Sequence, residues 1–218
     1  MQLETRPKAV KPGHSDRGAQ GILINPSAYR LFSKILLREK TRVRYVEKYI
    51  KPFPGCKILD IGCGPADILE YLPDDIGEYS GFDMNQEYVN FASRRWGDRG
   101  EFRCERVSQS HNKRAHYDIV LANGIVHHLD QEEARQLFMT ARTVLKPGGH
   151  LVTYDNVYIE NQNWFAKFMN SQDRGKYVRP LEDYTALAGE HFNKVETAIL
   201  HDTLRVPYTI LIMRCLTD

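Results

Sequence analysis

Short apolar runs alternate with helically spaced apolar residues through the middle of the chain. The runs predict buried β-strands, and apolar residues at intervals of three and four predict amphipathic helices. Repeated strand–helix units of this length favour a doubly wound α/β fold, in which helices cover both faces of a mostly parallel sheet. The predicted strands are Lys57–Ile61, Tyr79–Phe82, Phe102–Val107, Tyr117–Ala122 and Leu151–Tyr154, and the predicted helices include Ile68–Leu72, Glu87–Trp96 and Glu132–Leu145.

The end of the chain follows a different pattern. Val195–Leu200 and Tyr208–Met213 are two apolar runs with no helical pattern between them. Two such strands form an antiparallel pair, and we expect them at the edge of the sheet. The segment Glu160–Phe192 predicts two helices around a polar loop at residues 173–179.

The first 55 residues also divide by pattern. Residues 1–20 mix proline, glycine, lysine and serine without periodicity, which predicts a flexible arm. Helical spacing then continues to the prolines at 52 and 54, which predicts an N-terminal helical cap over residues 21–55 and a main domain over residues 56–218. The cap is either a lid over a ligand site or a plain packing helix. Its apolar stripe consists of Phe32, Ile35, Leu36, Val43, Val46 and Ile50.

Composition narrows the class of protein. The chain has 218 residues, of which 42% are hydrophobic and 27% charged, and this indicates a globular protein with one core. No apolar run approaches the ~20 residues of a membrane helix, and residues 1–18 have no apolar stretch, so we expect a cytoplasmic location. The four cysteines form no CxxC pair, and a metal site is not expected.

Charge is unevenly distributed along the chain. Residues 1–55 hold twelve Lys and Arg against four Asp and Glu, although the whole chain has a net charge of +2. A basic front end indicates either an anionic partner or a solvated helix face.

A glycine turn follows the first predicted strand, in the segment from Asp60 to Asp67. In a doubly wound sheet, ligands lie outside the carboxyl ends of the strands, where glycines let the backbone approach them. A dinucleotide-binding turn needs Gly or Ala at the sixth position of GxGxxG, which is Asp67 here. Residues 58–72 contain no Lys or Arg, so the turn favours a ligand with positive charge over a pyrophosphate.

A second acidic residue follows the second strand. Asp83 lies about twenty residues beyond the glycines, the spacing at which a carboxylate accepts hydrogen bonds from ribose hydroxyls. Alternatively, Asp83 is a structural residue that caps the helix from Asn85 onward. A ribose combined with a cation is typical of S-adenosylmethionine, and an NAD-dependent oxidoreductase is disfavoured.

Four segments carry a family resemblance between Lys57 and Tyr154. They are KILDIGCGP, GFDMN, YDIVLANGIVHHL and LKPGGHL, in this order. Together they resemble the class I (Rossmann-like, seven-strand) S-adenosylmethionine-dependent methyltransferase family, in its small-molecule branch. The resemblance implies a seven-strand sheet with an antiparallel last strand. It also implies an enzyme that transfers a methyl group from S-adenosylmethionine to a small-molecule acceptor by in-line displacement.

The resemblance also assigns the cofactor-binding residues. Asp60 would hold the amino group of the cofactor, and Asp83 would bind the ribose. Arg106 stands where the family usually offers an acidic residue to the adenine, and Ala66 replaces the usual third glycine. The remaining expected contacts are Gly62, Cys63 and Gly64 to the methionine and ribose, Met84 and Val107 to the adenine, and Asn123 to the methionine end.

The substrate side is expected after strands four and five. His127 and His128 follow strand four, and one of them is a candidate general base because histidine titrates near neutral pH; the resemblance favours His128 for this position. Neighbouring histidines on a helix point apart, which argues against a metal site at residues 127 and 128. Residues 156–191 form a substrate-side insertion that either clamps an anionic small molecule or pairs its charges locally at the surface. The expected substrate contacts are Asp155, Arg174, Tyr177 and Arg179.

Two alternative functions stay open at this point. The basic front end would suit an RNA or protein methyltransferase. A nucleic-acid partner is disfavoured, because the residues after strand four, from Ala122 to Ile125, lack the Asn-Pro-Pro-aromatic motif of enzymes that methylate base amines. The changes at Ala66 and Arg106 leave room for a non-catalytic, cofactor-binding partner subunit.

Overall fold

A computed structural model describes residues 39–107, 113–160, 162–164, 167, 176–201 and 208–218. Eight strands form one sheet in this part of the chain. Seven of them lie in the order β3-β2-β1-β4-β5-β8-β7, and the two-residue β6 pairs with β5 beside this path. The strands are β1 (Lys57–Ile61), β2 (Glu78–Asp83), β3 (Glu101–Cys104), β4 (Tyr117–Asn123), β5 (Leu145–Tyr158), β6 (Arg179–Pro180), β7 (Lys194–Leu200) and β8 (Ile210–Leu216).

Strand direction agrees with the sequence prediction. The strands β1 to β5 pair in parallel, whereas β8 is antiparallel to both β5 and β7. The predicted antiparallel pair at the sheet edge is therefore confirmed, and so is the α/β class. The carboxyl ends of β1, β2, β4 and β5 meet at one edge of the sheet, where a doubly wound fold binds its ligands.

The helical elements lie between the strands. Among the described residues, no helix is long and apolar enough to cross a bilayer. The α-helices are α1 (Glu39–Tyr45), α2 (Gln86–Trp96), α3 (Gln131–Val144) and α4 (Leu181–Gly189), with a π-helical turn at Val46–Ile50 and 3₁₀ turns at Asp67–Glu70 and Val126–His128.

Alternate residues of the central strands enter two separate cores. On one face, Leu59 and Val120 pack with the apolar residues of α3 and α4. On the other face, Ile58 and Leu121 pack with the π-helical turn and α2. All four side chains are fully buried, and burial of each stabilises the fold by about 1.5–3 kcal/mol. Because both faces of the central strands are covered, both sets of alternate residues are apolar. This explains why these strands appear in the sequence as continuous apolar runs.

The N-terminal cap differs from the predicted stripe. Val43 is 42% exposed, whereas Tyr45, Val46, Tyr49 and Ile50 are buried against the sheet. The reason is the π-helical turn, which changes the angular spacing of residues after Tyr45. The predicted stripe residues Phe32, Ile35 and Leu36 lie outside the described residues, as does the predicted arm at residues 1–20.

Several predicted element limits are corrected. The helix expected at Ile68–Leu72 is only a 3₁₀ turn, because Ala66 enters it with a left-handed backbone and Pro73 follows closely. Leu145 is not helical but begins β5, since α3 ends at Val144. The predicted strand Phe102–Val107 is the shorter β3, and the last predicted strand lies further along, in β8.

The segment after β5 returns to the sheet. The strand β6 pairs in parallel with Val157 and Tyr158 of β5, and α4 follows it directly. Tyr184 of α4 donates a hydrogen bond to the carbonyl oxygen of Asn156 (3.0 Å). One of the two helices predicted between residues 160 and 192 is therefore α4. Most of the part before residue 176 lies outside the described residues.

A capping box begins α3. The Asp130 carboxylate accepts a hydrogen bond from the Glu133 amide (2.8 Å), and the Glu133 carboxylate accepts one from the Asp130 amide (3.2 Å). Both contacts satisfy amide groups that have no partner inside the helix.

We expect Asp130→Ala to lower the free energy of unfolding by about 1 kcal/mol, because the first turn of α3 loses this cap. Urea unfolding followed by circular dichroism measures the change. Gln131→Ala, at an exposed neighbouring position, is the control and should change stability by less than about 0.5 kcal/mol. Equal effects of the two variants would contradict the prediction.

Candidate functional site at the carboxyl edge of the sheet

The end of β2 holds the glycine turn through the backbone. The amide groups of Gly62 and Cys63 both donate to the carbonyl oxygen of Phe82 (2.7 and 3.0 Å). The next amide, of Gly64, donates to Oδ2 of Asp83 (2.9 Å). Three successive amides of the turn are thus bound within the protein. A loop that cradles phosphate needs such amides for the ligand, so this turn is built for another kind of ligand.

Three residues of the turn have left-handed backbone conformations. Gly62 has φ +75°, which favours glycine, and a Cβ there would lie 2.5 Å from Cδ1 of Ile125, so a larger residue would also displace that side chain. Gly64 has φ +53° and a Cβ there would meet nothing within 4 Å, so this glycine faces open space. Ala66, at the position where the resemblance leads us to expect a glycine, adopts φ +54°, a conformation that costs an L-residue about 1–2 kcal/mol.

Asp83 links the turn to the loop after β2. Besides the amide of Gly64, it accepts a hydrogen bond from the amide of Asn85 through Oδ1 (2.8 Å). The cap of α2 is Asn85 itself, whose side chain accepts from the amides of Glu87 and Tyr88 (2.9 and 3.4 Å). Asp83 is therefore not the cap of this helix. Each carboxylate oxygen has a second lone pair that could accept from a ligand hydroxyl.

Asp60 is a buried carboxyl group directly before the turn. Its side chain is 2% exposed, and Oδ2 accepts a hydrogen bond from the Tyr79 hydroxyl (2.5 Å). Oδ1 is buried and has no hydrogen-bond partner among the described residues. Burial raises the pKa of Asp60 to about 7, the Tyr79 hydrogen bond opposes the rise, and the nearby Asp83 adds to it. The site thus offers an unused acceptor that a cation would stabilise in its ionised form.

An aromatic and amide cluster lies at the end of β4. The Tyr45 hydroxyl donates to Oδ1 of Asn123 (2.5 Å), and the Tyr45 ring makes an edge contact with Tyr154 of β5 (5.4 Å between centroids). Burial, followed by the charge of Asp60, raises the pKa of Tyr45 well above its ordinary value. The end of the N-terminal cap therefore contacts the carboxyl edge of the sheet.

The 3₁₀ turn after β4 separates the two histidines. His127 is 6% exposed, and its Nδ1 lies 2.7 Å from Oδ1 of Asp155, which also accepts from the His127 amide (3.2 Å). His128, the base candidate from the sequence, is exposed, with its ring centroid 4.2 Å from that of His127. The carboxylate of Asp155 thus contacts His127 through both its ring and its amide.

A strap at residues 176–180 crosses this turn. The guanidinium of Arg179 donates to the carbonyl oxygens of Val126 (3.1 Å), Leu129 (2.7 Å) and Tyr177 (3.0 Å). The Tyr177 amide donates to the carbonyl oxygen of His127 (3.1 Å), while its side chain is 42% exposed. Arg179 therefore fixes the turn that carries His127. Arg174, the other predicted cation of the clamp, lies outside the described residues.

The expected adenine side is more open. Met84 is 66% exposed, and Val107 packs partly buried against the core below α3. Arg106 pairs with Glu133 in the first turn of α3 (2.9 Å). Its charge is therefore balanced by the protein at this position.

Two residues of this edge were missed in the sequence. Tyr45 lies 78 positions before Asn123, and only the folded chain brings them together. The sequence favoured His128 over His127, because two adjacent histidines on a short turn give no local sign of which ring points inward. The acidic residue after the predicted strand Leu151–Tyr154 was the available signal, since an aspartate there can orient a histidine after β4. The described residues contain no group of three or more potential metal ligands.

Comparison with known sequences identifies the domain. A family model described as a methyltransferase domain matches residues 58–149. A ubiquinone biosynthesis O-methyltransferase of Yersinia pestis is 25% identical over 157 residues, which cover 62% of this chain and 63% of that protein. A hybrid PKS-NRPS synthetase of Pyrenochaetopsis is 26% identical over 124 residues, or 51% of this chain and 3% of the synthetase. The chain thus matches less than two thirds of the length of either relative.

Comparison with solved structures identifies the same fold. The phosphoethanolamine N-methyltransferase 2 of Haemonchus contortus, solved with phosphomonomethylethanolamine and S-adenosylhomocysteine, superposes with a TM-score of 0.71. The superposition covers 92% of this chain and 59% of that one, at 14% identity. The sheet order and the superposition show the same fold, and residues 58–149 of this fold match the family described as a methyltransferase domain.

Proposed function

We propose that this protein transfers a methyl group from S-adenosylmethionine to a small-molecule acceptor by in-line displacement. The observation that carries the proposal is the binding of three turn amides by Phe82 and Asp83. These three amides are not available to a pyrophosphate, and the turn presents the carboxylates of Asp60 and Asp83 beside the open space at Gly64. This arrangement suits a ligand with a ribose and a cation.

The described residues fit this cofactor. Asp60 would hold its amino group through an intervening water, since the carboxylate is buried. Gly64 and Cys63 would border its methionine part, Asp83 would accept from the ribose hydroxyls, and Met84 would cover the adenine. Gly62, Val107 and Asn123 complete the proposed set. The bound cofactor supplies a methyl group already activated by a sulfonium, so the chain mainly aligns the acceptor and excludes water.

The acceptor side is proposed from residues after β4 and β5. Of the expected substrate contacts, Arg174 and Tyr177 would contact an anionic small molecule, whereas Arg179 and Asp155 would act through the turn that carries His127. His128 stays a candidate base. The relatives that match are named as enzymes of small-molecule metabolism, which favours this class over RNA or protein. A cytoplasmic location belongs to the same proposal, and subcellular fractionation of the native protein tests it.

The direct test is turnover with S-adenosylmethionine and three anionic acceptors of different chemistry. 3,4-Dihydroxybenzoate offers a hydroxyl, phosphomonomethylethanolamine an amine and acetoacetate an acidic carbon. Formation of S-adenosylhomocysteine above the acceptor-free rate, with a methylated product by mass spectrometry, supports the proposal. Tight cofactor binding without product from any of the three would favour the non-catalytic partner subunit.

Asp83→Ala should weaken S-adenosylhomocysteine binding about 10- to 100-fold, because hydrogen bonds to a charged acceptor contribute about 1.5–3 kcal/mol. Isothermal titration calorimetry measures the affinity. Glu87→Ala, which removes an exposed carboxylate at the start of α2, is the matched control and should bind as the wild type does. Unchanged affinity in a folded Asp83→Ala variant would refute the assignment.

Cofactor affinity should depend on pH through Asp60. A bound cation favours the ionised carboxyl, whose pKa in the free protein is raised to about 7. Binding therefore releases a proton below pH 7, and the dissociation constant should fall as pH rises from 6 to 7, by up to about tenfold per pH unit, and level off above it. Calorimetry in buffers of different ionisation enthalpy measures the released proton. Asp60→Asn should remove both effects, and a pH-dependence that persists in this variant would exclude Asp60 as its source.

Arg179→Lys should lower kcat about tenfold with little change in the KM of the acceptor. A lysine has a single terminal nitrogen and lacks the planar fork whose two nitrogens bind Val126 and Leu129 separately, so the turn that carries His127 is held less firmly. Steady-state kinetics on the acceptor with the highest turnover separates the two parameters. A raised KM with unchanged kcat would instead indicate that the guanidinium binds the acceptor.

A further inference from the structure

We propose that His127, oriented by Asp155, takes a proton from the acceptor during methyl transfer. It follows that the acceptor is one whose reacting atom carries a removable hydrogen, as a hydroxyl, an amine or an acidic carbon does. This inference rests on the proposed function and assigns the proton transfer to a buried histidine that the sequence motifs did not single out.

The geometry of the pair carries the proposal. Nδ1 of His127 lies 2.7 Å from Oδ1 of Asp155, and the two side chains are 7% and 1% exposed. An ionised carboxylate only accepts hydrogen bonds, so Nδ1 carries the proton of the neutral imidazole. Nε2 then has the lone pair that a general base needs. In such an arrangement, a carboxylate orients the imidazole ring of a histidine that acts as the base.

The backbone holds the ring from both sides. The His127 amide donates to the same Oδ1 of Asp155 (3.2 Å), and the strap binds the carbonyl oxygens of Val126, His127 and Leu129. Asp155 belongs to β5, a central strand of the sheet. A base held on rigid elements in this way keeps its alignment with the reacting atoms.

The ring also lies at the correct edge of the sheet. A Cβ placed on Gly124 would be 3.9 Å from Cε1 of His127, the ring atom between the two nitrogens. The Gly124 amide donates to the carbonyl oxygen of Tyr154 (2.7 Å), so the start of this turn is joined to the end of β5. Asn123, the proposed contact to the methionine end of the cofactor, directly precedes Gly124.

The proposed step is balanced by groups on the chain. The hydrogen on the acceptor atom passes to Nε2 of His127 as a proton, and the electron pair left on that atom forms the bond to the methyl carbon. The bond between that carbon and sulfur breaks, and its electron pair neutralises the sulfonium. Asp155 stabilises the resulting imidazolium, which returns its proton to solvent after product release.

The ionisable groups around Asp155 leave the titration of His127 visible in the pH–rate profile. Tyr45 from the cap and Tyr184 from α4 both interact electrostatically with Asp155, and burial raises the pKa of each, so both are neutral near pH 7. The remaining ionisable groups near the turn are His128, 4.2 Å away between ring centroids, and the guanidinium of Arg179, which is always charged. His128 is therefore the rival base beside the turn. Asp60, whose pKa burial raises to about 7, also titrates at this edge but lies on the opposite face of the sheet, and Asp60→Asn separates its contribution.

The first test needs no acceptor. Proton–nitrogen correlation spectra of the histidine side chains, assigned with His127→Gln, report which ring nitrogen of His127 is protonated at pH 8. We expect the Nδ1-protonated form, and we expect Asp155→Asn to lower the pKa of His127 by about one unit or more, because the ion partner is lost. An Nε2-protonated ring, or a pKa unmoved by Asp155→Asn, would overturn the proposal.

The second test is kinetic and uses the most active acceptor of the three named above. His127→Gln should lower kcat about 10²- to 10⁴-fold and remove the acid limb of the pH–rate profile, with acceptor KM unchanged. Asp155→Asn should lower kcat, while Asp155→Glu should restore part of it. The matched control is His191→Gln, a histidine beyond α4 that should retain full turnover.

Cofactor binding separates the two proposals. His127→Gln and Asp155→Asn should bind S-adenosylhomocysteine within about twofold of the wild type by calorimetry, since neither holds the cofactor. Failure of the wild type to bind would refute the proposed function itself. Normal binding with full turnover in His127→Gln, or a loss of turnover in His128→Gln of the same size, would refute only the role of His127.

Discussion

The site depends on the hydrogen bonds between the glycine turn and the end of β2. Gly62, Cys63 and Gly64 donate their amides to Phe82 and Asp83, so two neighbouring parallel strands determine the shape of the turn before any ligand arrives. The same bonds remove the donors that a phosphate would need. A dinucleotide and S-adenosylmethionine both present a ribose to this edge, and the bound amides are the physical basis for choosing between them.

The sequence predicted the elements whose burial is periodic and missed those whose backbone is irregular. The strands β1, β4 and β5 are apolar on both faces, so continuous apolar segments in the sequence predicted their central residues. The position of Val43 was wrong because a π-helical turn changes the helical spacing, and the helix expected at residues 68–72 was wrong because the left-handed Ala66 and Pro73 leave room for one short turn. Neither feature has a sign in hydrophobic periodicity.

The candidate site divides in the same way. Asp60, Gly64 and Asp83 lie in local segments at fixed spacings, and the structure brings them together around one turn. His127 and Tyr45 depend on contacts with Asp155 and Asn123, which are 28 and 78 positions away along the chain. Tertiary packing decides which of two adjacent histidines is buried and paired, and a motif that contains both cannot.

The two buried carboxylates of this edge differ because they lie on opposite faces of the sheet. Asp60 shares a face with Ile58 and has the Tyr79 hydroxyl as its partner. Asp155 shares a face with Leu151 and has an imidazole. A hydrogen bond from a hydroxyl offsets only part of the free-energy cost of burying a carboxylate charge, so an external cation would stabilise the ionised form of Asp60 further. An imidazole can become the cation itself, so Asp155 needs none and instead favours proton uptake by His127. If both proposals hold, the alternation of residues along parallel strands separates cofactor binding from proton transfer within one edge of the sheet.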